Sequence, residues 1–125
     1  MKTDKKQIFV VDDDESVCRA LKYLLTAFGF EVKTFLSAGK FFSAVPQNVT
    51  GTLIMDVHMP VLNGWEALKW IKKTGSKRPV IIISADENGS MKEQAFKSGA
   101  VGYFQKPVKD QELVNLINKT YLKEA

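Results

Sequence analysis

Five short apolar runs, each followed by a stretch of helical periodicity, restrict this chain to few folds. The runs are Gln7 to Val11, Phe30 to Phe35, Thr52 to Asp56, Val80 to Ser84 and Val101 to Phe104. After the first, Val17, Ala20, Leu21, Leu24, Leu25 and Phe28 recur at three and four residues, the spacing of one helix face. Asp14 is placed to cap this helix, read over 16–28, and Gly29 to end it. Ser37 is placed to cap a short helix over 38–45, stopped before Pro46. Asn63-Gly64-Trp65-Glu66 has the spacing of a capping box ahead of a helix running to Lys73. Ser90 and Glu93 repeat that spacing before a helix that ends near Gly99. Asp110 opens a last helix with Leu113, Leu116, Ile117 and Tyr121 on one face. Met59 to Leu62 and Ala85 to Gly89 read as loops.

Strands joined through helices of this length require right-handed crossovers and hence a parallel sheet. The first, third and fourth runs are almost continuously apolar, as strands covered on both faces are. Phe30-Glu31-Val32-Lys33-Thr34 is more polar and reads as an edge. The expected fold is α/β, a doubly wound (βα)5 parallel sheet in the order 2-1-3-4-5, with its site at the switch between strands one and three.

A length of 125 residues at 45% hydrophobic content suits one domain, read over 1–125 with a core from about 7 to 121. Cys18 is the only cysteine, which excludes an internal disulfide and fits a reducing cytoplasm. It is expected between helix faces as a partly exposed thiol. The polar start has no apolar signal core, and no apolar stretch is long enough to span a bilayer. Formal charge is +4. Lys69, Lys72, Lys73, Lys77 and Arg78 form the densest basic group, read as a solvated helix face rather than a nucleic-acid footprint. Trp65 is expected against the sheet beside Leu68. Trp70 is expected over a crevice, or exposed as an interface anchor.

The acids lie elsewhere, at strand ends. Asp12 and Asp13 follow the first strand, and Asp56 ends the third. Three converging carboxylates repel one another unless a cation neutralises them, and an all-oxygen set suits Mg²⁺. Between metal and solvent, the Asp56 carboxylate could attack phosphorus and form an acyl phosphate. Such transfer needs positioning and charge neutralisation, which Lys106 after the fifth strand and the Ser84 hydroxyl after the fourth could assist. Taken singly these residues are ordinary: a helix cap, a residue leaving a strand, a lysine in a turn. Their joint spacing carries the reading.

From Gln7 to Tyr121 the chain resembles the receiver domain of bacterial two-component response regulators, the CheY-like superfamily. The matching residues are Val11-Asp12-Asp13, Asp56-Val57-His58-Met59-Pro60 with Asn63-Gly64, Ser84-Ala85, Gly99-Ala100 and Lys106-Pro107. The resemblance implies a flavodoxin-like fold and a phosphorylation-dependent signalling switch. Asp56 would accept a phosphoryl group from a phosphohistidine of a sensor histidine kinase or histidine phosphotransfer protein. Asp12, Asp13 and Asp56, with the backbone carbonyl of His58, would bind Mg²⁺. Ser84 and Lys106 would bind the phosphoryl group, and Pro107 would follow a cis bond. Ser84 and Tyr103 would be the switch residues, reshaping the surface of helix 4, strand 5 and helix 5.

A phosphorylation-dependent homodimer and control of transcription through an output domain outside this chain are further implications. The stretches Val11 to Ala20 and Thr34-Phe35-Leu36-Ser37-Ala38 look most like receivers joined to helix-turn-helix outputs. Neither direct nucleic-acid binding nor membrane insertion is expected. Chemistry beyond the domain's own Mg²⁺-dependent phosphotransfer and dephosphorylation is not expected either. His58 and Asp86 stand where the family varies, and His58 bears on water access and phosphoryl lifetime.

The enzymatic alternative is a Mg²⁺-dependent phosphatase or phosphotransferase with an aspartyl nucleophile. Such enzymes place an acid, often aspartate, two residues beyond the nucleophile, where this chain has His58. A degenerate receiver acting only as a binding module would not need the retained acids, Ser84 and Lys106. A flavodoxin-like cofactor module would need a Gly-rich phosphate loop where this chain has Asp12 to Asp14.

Overall fold

The computed structural model describes residues 6–58, 63–86 and 90–124, without the side chains at 90 and 122–124. Met59, Pro60 and the rest of the 59–62 loop, with residues 87–89, lie outside the described residues. The elements alternate: β1 (Gln7–Val11), α1 (Glu15–Ala27), β2 (Glu31–Phe35), α2 (Ala38–Ala44), β3 (Thr52–Asp56), α3 (Gly64–Lys73), β4 (Val80–Ser84), α4 (Ser90–Lys97), β5 (Gly102–Gln105) and α5 (Asp110–Glu124). The strands form one parallel sheet in the order β2-β1-β3-β4-β5. This is the doubly wound arrangement that the apolar runs predict, with the polar second strand at an edge.

Alternation along each strand splits the core into two layers. Phe9, Val11, Leu53, Met55, Val80 and Ile82 face one way, onto Phe41 of α2, Leu68 and Ile71 of α3 and Ala95 of α4. Ile8, Val10, Ile54, Ile81 and Ile83 face the other, onto Leu21 and Leu25 of α1 and Leu113 and Ile117 of α5. Every residue of β3 and β4 is buried. Among the described residues, no helix is long and apolar enough to cross a membrane.

The helix starts follow side-chain chemistry. Asp14 accepts from the Ser16 amide and Ser37 from the Lys40 amide. At α3 both halves of the capping box form: Asn63 Oδ1 accepts from the Glu66 amide at 2.9 Å, and Glu66 Oε1 accepts from the Asn63 amide at 3.3 Å. Ser90 departs from expectation. It is the first residue of α4, already in helical conformation, and so is not the cap that precedes it.

Two further readings are corrected. Cys18 is buried, not partly exposed, because it lies on the inward face of α1 with its thiol 3.3 Å from the Asp12 carbonyl. Arg78 is buried rather than on a solvated face. Its guanidinium donates to the carbonyls of Val49 at 2.7 Å, Gly51 at 2.8 Å and Pro46 at 3.4 Å. It also lies over the rings of Phe9 and Phe41. The loop between α2 and β3 presents carbonyls that need donors, and Arg78 supplies them. Trp65 is half-buried in the layer that contains Leu68. Trp70 stays 46% exposed, with one face on Phe42 at a centroid distance of 4.8 Å.

Candidate functional site

Parallel strands paired in register end at the same edge, which is where the polar residues gather. Val11 pairs with Met55, Asp56 with Ile83 and Ser84 with Gln105. The residues at the ends of β1, β3 and β4 are therefore neighbours, and Lys106 follows β5 directly. Apolar strands with both faces covered carry these polar groups to the margin of the core. Asp12, Asp56 and Ser84 are all buried.

One local motif repeats at three strand ends. Asp12 Oδ1 accepts from the Asp14 amide at 2.9 Å, Asp56 Oδ1 from the His58 amide at 3.1 Å, and Ser84 Oγ from the Asp86 amide at 3.0 Å. Each side chain thus bonds the backbone two residues on, the Asx- or Ser-type turn that short polar side chains favour. The turn fixes one oxygen of each carboxylate and leaves the other to the site. Gly64 holds Asp56 from behind: its amide donates to the Val57 carbonyl at 3.1 Å. A Cβ there would lie 2.6 Å from both the Asp56 carbonyl oxygen and the Val57 Cα, so only glycine permits this approach.

Carboxylate oxygens of Asp12, Asp13 and Asp56 lie within 4.8 Å of one another. Lys106 Nζ stands 2.8 Å from Asp12 Oδ2 and 3.5 Å from Asp56 Oδ2. The lysine thus reaches both carboxylates and lies closer to Asp12 than to Asp56. Burial lowers the Lys106 pKa, but hydrogen bonding to Asp12 and the Asp56 and Asp12 charges outweigh this, and the net shift is upward. Burial raises the Asp56 pKa above its ordinary 3.8. The Asp12 charge adds to the rise, while the His58 amide and Lys106 oppose it. Asp14, outside the cluster, is shifted downward by its hydrogen bonds from the Ser16 hydroxyl and amide.

The donor set fits a hard divalent cation. It is all oxygen and carries three negative charges against one ammonium. Asp12 Oδ2 is fully buried, with the Lys106 ammonium at 2.8 Å as its ionic partner.

The remaining predicted residues surround this cluster. Ser84 ends β4 beside Asp56's strand. The His58 imidazole turns to Asp86, with Nε2 3.8 Å from Oδ2. Tyr103 lies apart, half-buried, its hydroxyl donating to the Asp86 carbonyl at 3.3 Å. The Lys106-Pro107 bond is cis. Sequence reasoning missed the Cys18 thiol as a support for the Asp12 backbone. Burial and the Asp12 charge push that thiol up to about 11. Its position four residues after Asp14, on the inward helix stripe, was the available signal.

The comparisons with known proteins converge on this arrangement. Residues 8–118 match the family described as response regulator receiver domain. The response regulator protein TmoT of Ectopseudomonas mendocina is 37% identical over 125 residues, covering all of this chain and 56% of its own. The transcriptional regulatory protein FixJ of Bradyrhizobium diazoefficiens is 36% identical over 115 residues, 92% of this chain and 56% of its own. The chain spans about half the length of these curated relatives. Among solved structures, FixJ-N superposes with a TM-score of 0.84 at 32% identity, covering 94% of each chain. The receiver domain of the Francisella response regulator 1452 superposes with a TM-score of 0.90 at 26% identity, covering 97% of this chain and all of that one. A (βα)5 sheet with an acidic cluster at its switch point, matched along nearly its whole length, places this chain in the response regulator receiver family, as a phosphoacceptor switch domain.

Proposed function

We propose that Asp56 is the phosphoacceptor and that a phosphohistidine of a sensor histidine kinase or histidine phosphotransfer protein is the donor. A carboxylate oxygen of Asp56 forms a bond to phosphorus as the phosphorus–nitrogen bond breaks, and the imidazole leaves with the electron pair. Mg²⁺, held by Asp12, Asp13 and Asp56 with the His58 backbone carbonyl, would neutralise charge spreading over the phosphoryl oxygens. The observation that carries this reading is the convergence of three carboxylates and one ammonium on the switch point of the sheet. Gly64 and the His58 amide fix the nucleophile, and Lys106 supplies positive charge from the side of β5.

The response travels through Asp86. Its amide bonds Ser84 Oγ and its carbonyl accepts from Tyr103. A Ser84 hydroxyl drawn toward a phosphoryl oxygen moves this residue, and the Tyr103 ring moves with it. The phosphoryl group favours one of two existing conformations, and the surface of α4, β5 and α5 changes with it. Stronger self-association is the immediate result. Relatives described as transcriptional regulatory proteins, of which this chain spans about half, support a readout through an output domain.

Incubation with Mg²⁺ and acetyl phosphate, followed by intact mass, should show one added phosphoryl group. Labelling that survives in Asp56→Asn would refute the assignment. In the beryllofluoride complex, a mimic of the acyl phosphate, unmoved Ser84 and Tyr103 would refute the coupling while leaving the acceptor in place.

A further inference from the structure

Each polar group of Asp12 has its own partner. The amide donates to the Phe35 carbonyl at the end of β2, 3.1 Å away. Oδ1 accepts from the Asp14 amide, and Oδ2 faces the Lys106 ammonium. The carbonyl accepts from the buried Cys18 thiol at 3.3 Å.

That carbonyl belongs to the peptide unit that carries the Asp13 amide. A peptide unit is planar, so holding its oxygen also sets the direction of the Asp13 N–H and the place where the Asp13 side chain starts. Asp13 is exposed, so packing does little to orient it. Its approach to Asp56 therefore depends on the backbone beneath it. Cys18 holds this backbone at two points. Its amide donates to the Asp14 carbonyl at 3.2 Å, which ties the first turn of α1 to the loop. Its thiol lies 3.3 Å from the Asp12 carbonyl and 3.9 Å from that of Phe35, between the ends of β1 and β2. Cys18 shares the buried stripe of Leu21 and Leu25, which keeps the thiol turned inward. A buried carbonyl without a donor is costly, and the cysteine supplies one.

We propose that Cys18 is a positioning residue for the metal site: its thiol sets the Asp12–Asp13 peptide plane, and with it the spacing of two carboxylates that hold Mg²⁺. This rests on the reading of Asp12 and Asp13 as metal ligands. Serine at position 18 would keep a donor. Valine would keep the bulk without a donor, and alanine would keep neither.

The test is NMR of the ¹⁵N-labelled parent, Cys18→Ser, Cys18→Val and Cys18→Ala chains. In Mg²⁺-free buffer the Asp13 amide resonance should move in the valine and alanine variants and stay nearer its parent position in the serine variant. On Mg²⁺ titration, Cys18→Val and Cys18→Ala should bind about fivefold more weakly than the parent. This is less than the roughly 10–100-fold typical of partners of metal ligands, because a thiol is a weak donor. Cys18→Ser should bind within about twofold of the parent. Valine refills the space that alanine empties, so a weakening shared by both reports the lost donor and not a cavity. A purely structural thiol would change urea stability and leave Mg²⁺ affinity equal in every variant, which would overturn the proposal. Serine as weak as alanine, or valine as tight as the parent, would overturn it too. A parent chain with no saturable Mg²⁺ response would instead remove the metal assignment, and the positioning role with it.

Discussion

At the amino end of the sheet, buried polar groups meet partners that match them. Arg78 serves three carbonyls, and the Thr52 and Thr120 hydroxyls lie 3.1 Å apart. Thr120 also donates to the Ile117 carbonyl at 2.6 Å. At the carboxyl end, three carboxylates crowd one ammonium. The same strands thus run from an end whose buried polar groups are matched within the chain to one that carries an excess of negative charge. Mutation at the first end should cost stability. At the second it should cost little stability, or add some, while removing function.

The largest effect expected is at Arg78. In Arg78→Met the three carbonyls lose their donor and two rings lose a cation, which should cost about 3 kcal/mol in urea unfolding. A loss below about 1 kcal/mol would break the contrast between the two ends. Thr52→Val, nearly equal in volume, should cost about 1 kcal/mol through the lost hydroxyl pair.

Asp56→Asn should act in the opposite direction in metal-free protein. The raised pKa means the folded state keeps the Asp56 proton at pH values where the unfolded chain, near 3.8, has released it. Stability therefore falls as pH rises from 3.8 through the folded value, and the full penalty remains above it. The variant should unfold at a higher temperature than the parent at neutral pH, and the gap should close toward pH 3.8. A variant less stable at neutral pH would contradict the picture of a strained acidic edge.

The smallest effect is expected at Asp13, which is exposed. Metal-free Asp13→Asn should match the parent within about 0.5 kcal/mol. Added Mg²⁺ should raise the melting temperature of the parent and raise that of the variant much less, since binding to the native state alone stabilises it. Equal rises would remove Asp13 from the metal site.

The sequence makes the scaffold legible because the physics of the scaffold is local. β1, β3 and β4 are continuous apolar runs with the limits read from sequence, and the α3 capping box sits within four residues. The acidic edge was legible for a related reason: parallel strands must bring their ends together. Arg78 was hidden because nothing in Lys69 to Arg78 separates one cation from the next. What selects it is the carbonyls of 46–51, reached only after folding. The closer approach of Lys106 to Asp12 was hidden likewise, since it depends on how the chain leaves β5.

Gly64 has a mechanical consequence. With no room for a Cβ between it and the Asp56 backbone, the first turn of α3 is an anvil behind the Asp56 carboxylate. Force applied to the Asp56 carboxylate cannot be absorbed by recoil of β3, whose five residues are buried on both faces. In the proposed switch it would be delivered forward instead, toward Lys106, 3.5 Å from the carboxylate, and toward Ser84 at the end of the neighbouring strand. One new covalent bond at Asp56 would therefore become displacement at the surface of α4, β5 and α5, because the part that is struck stays still.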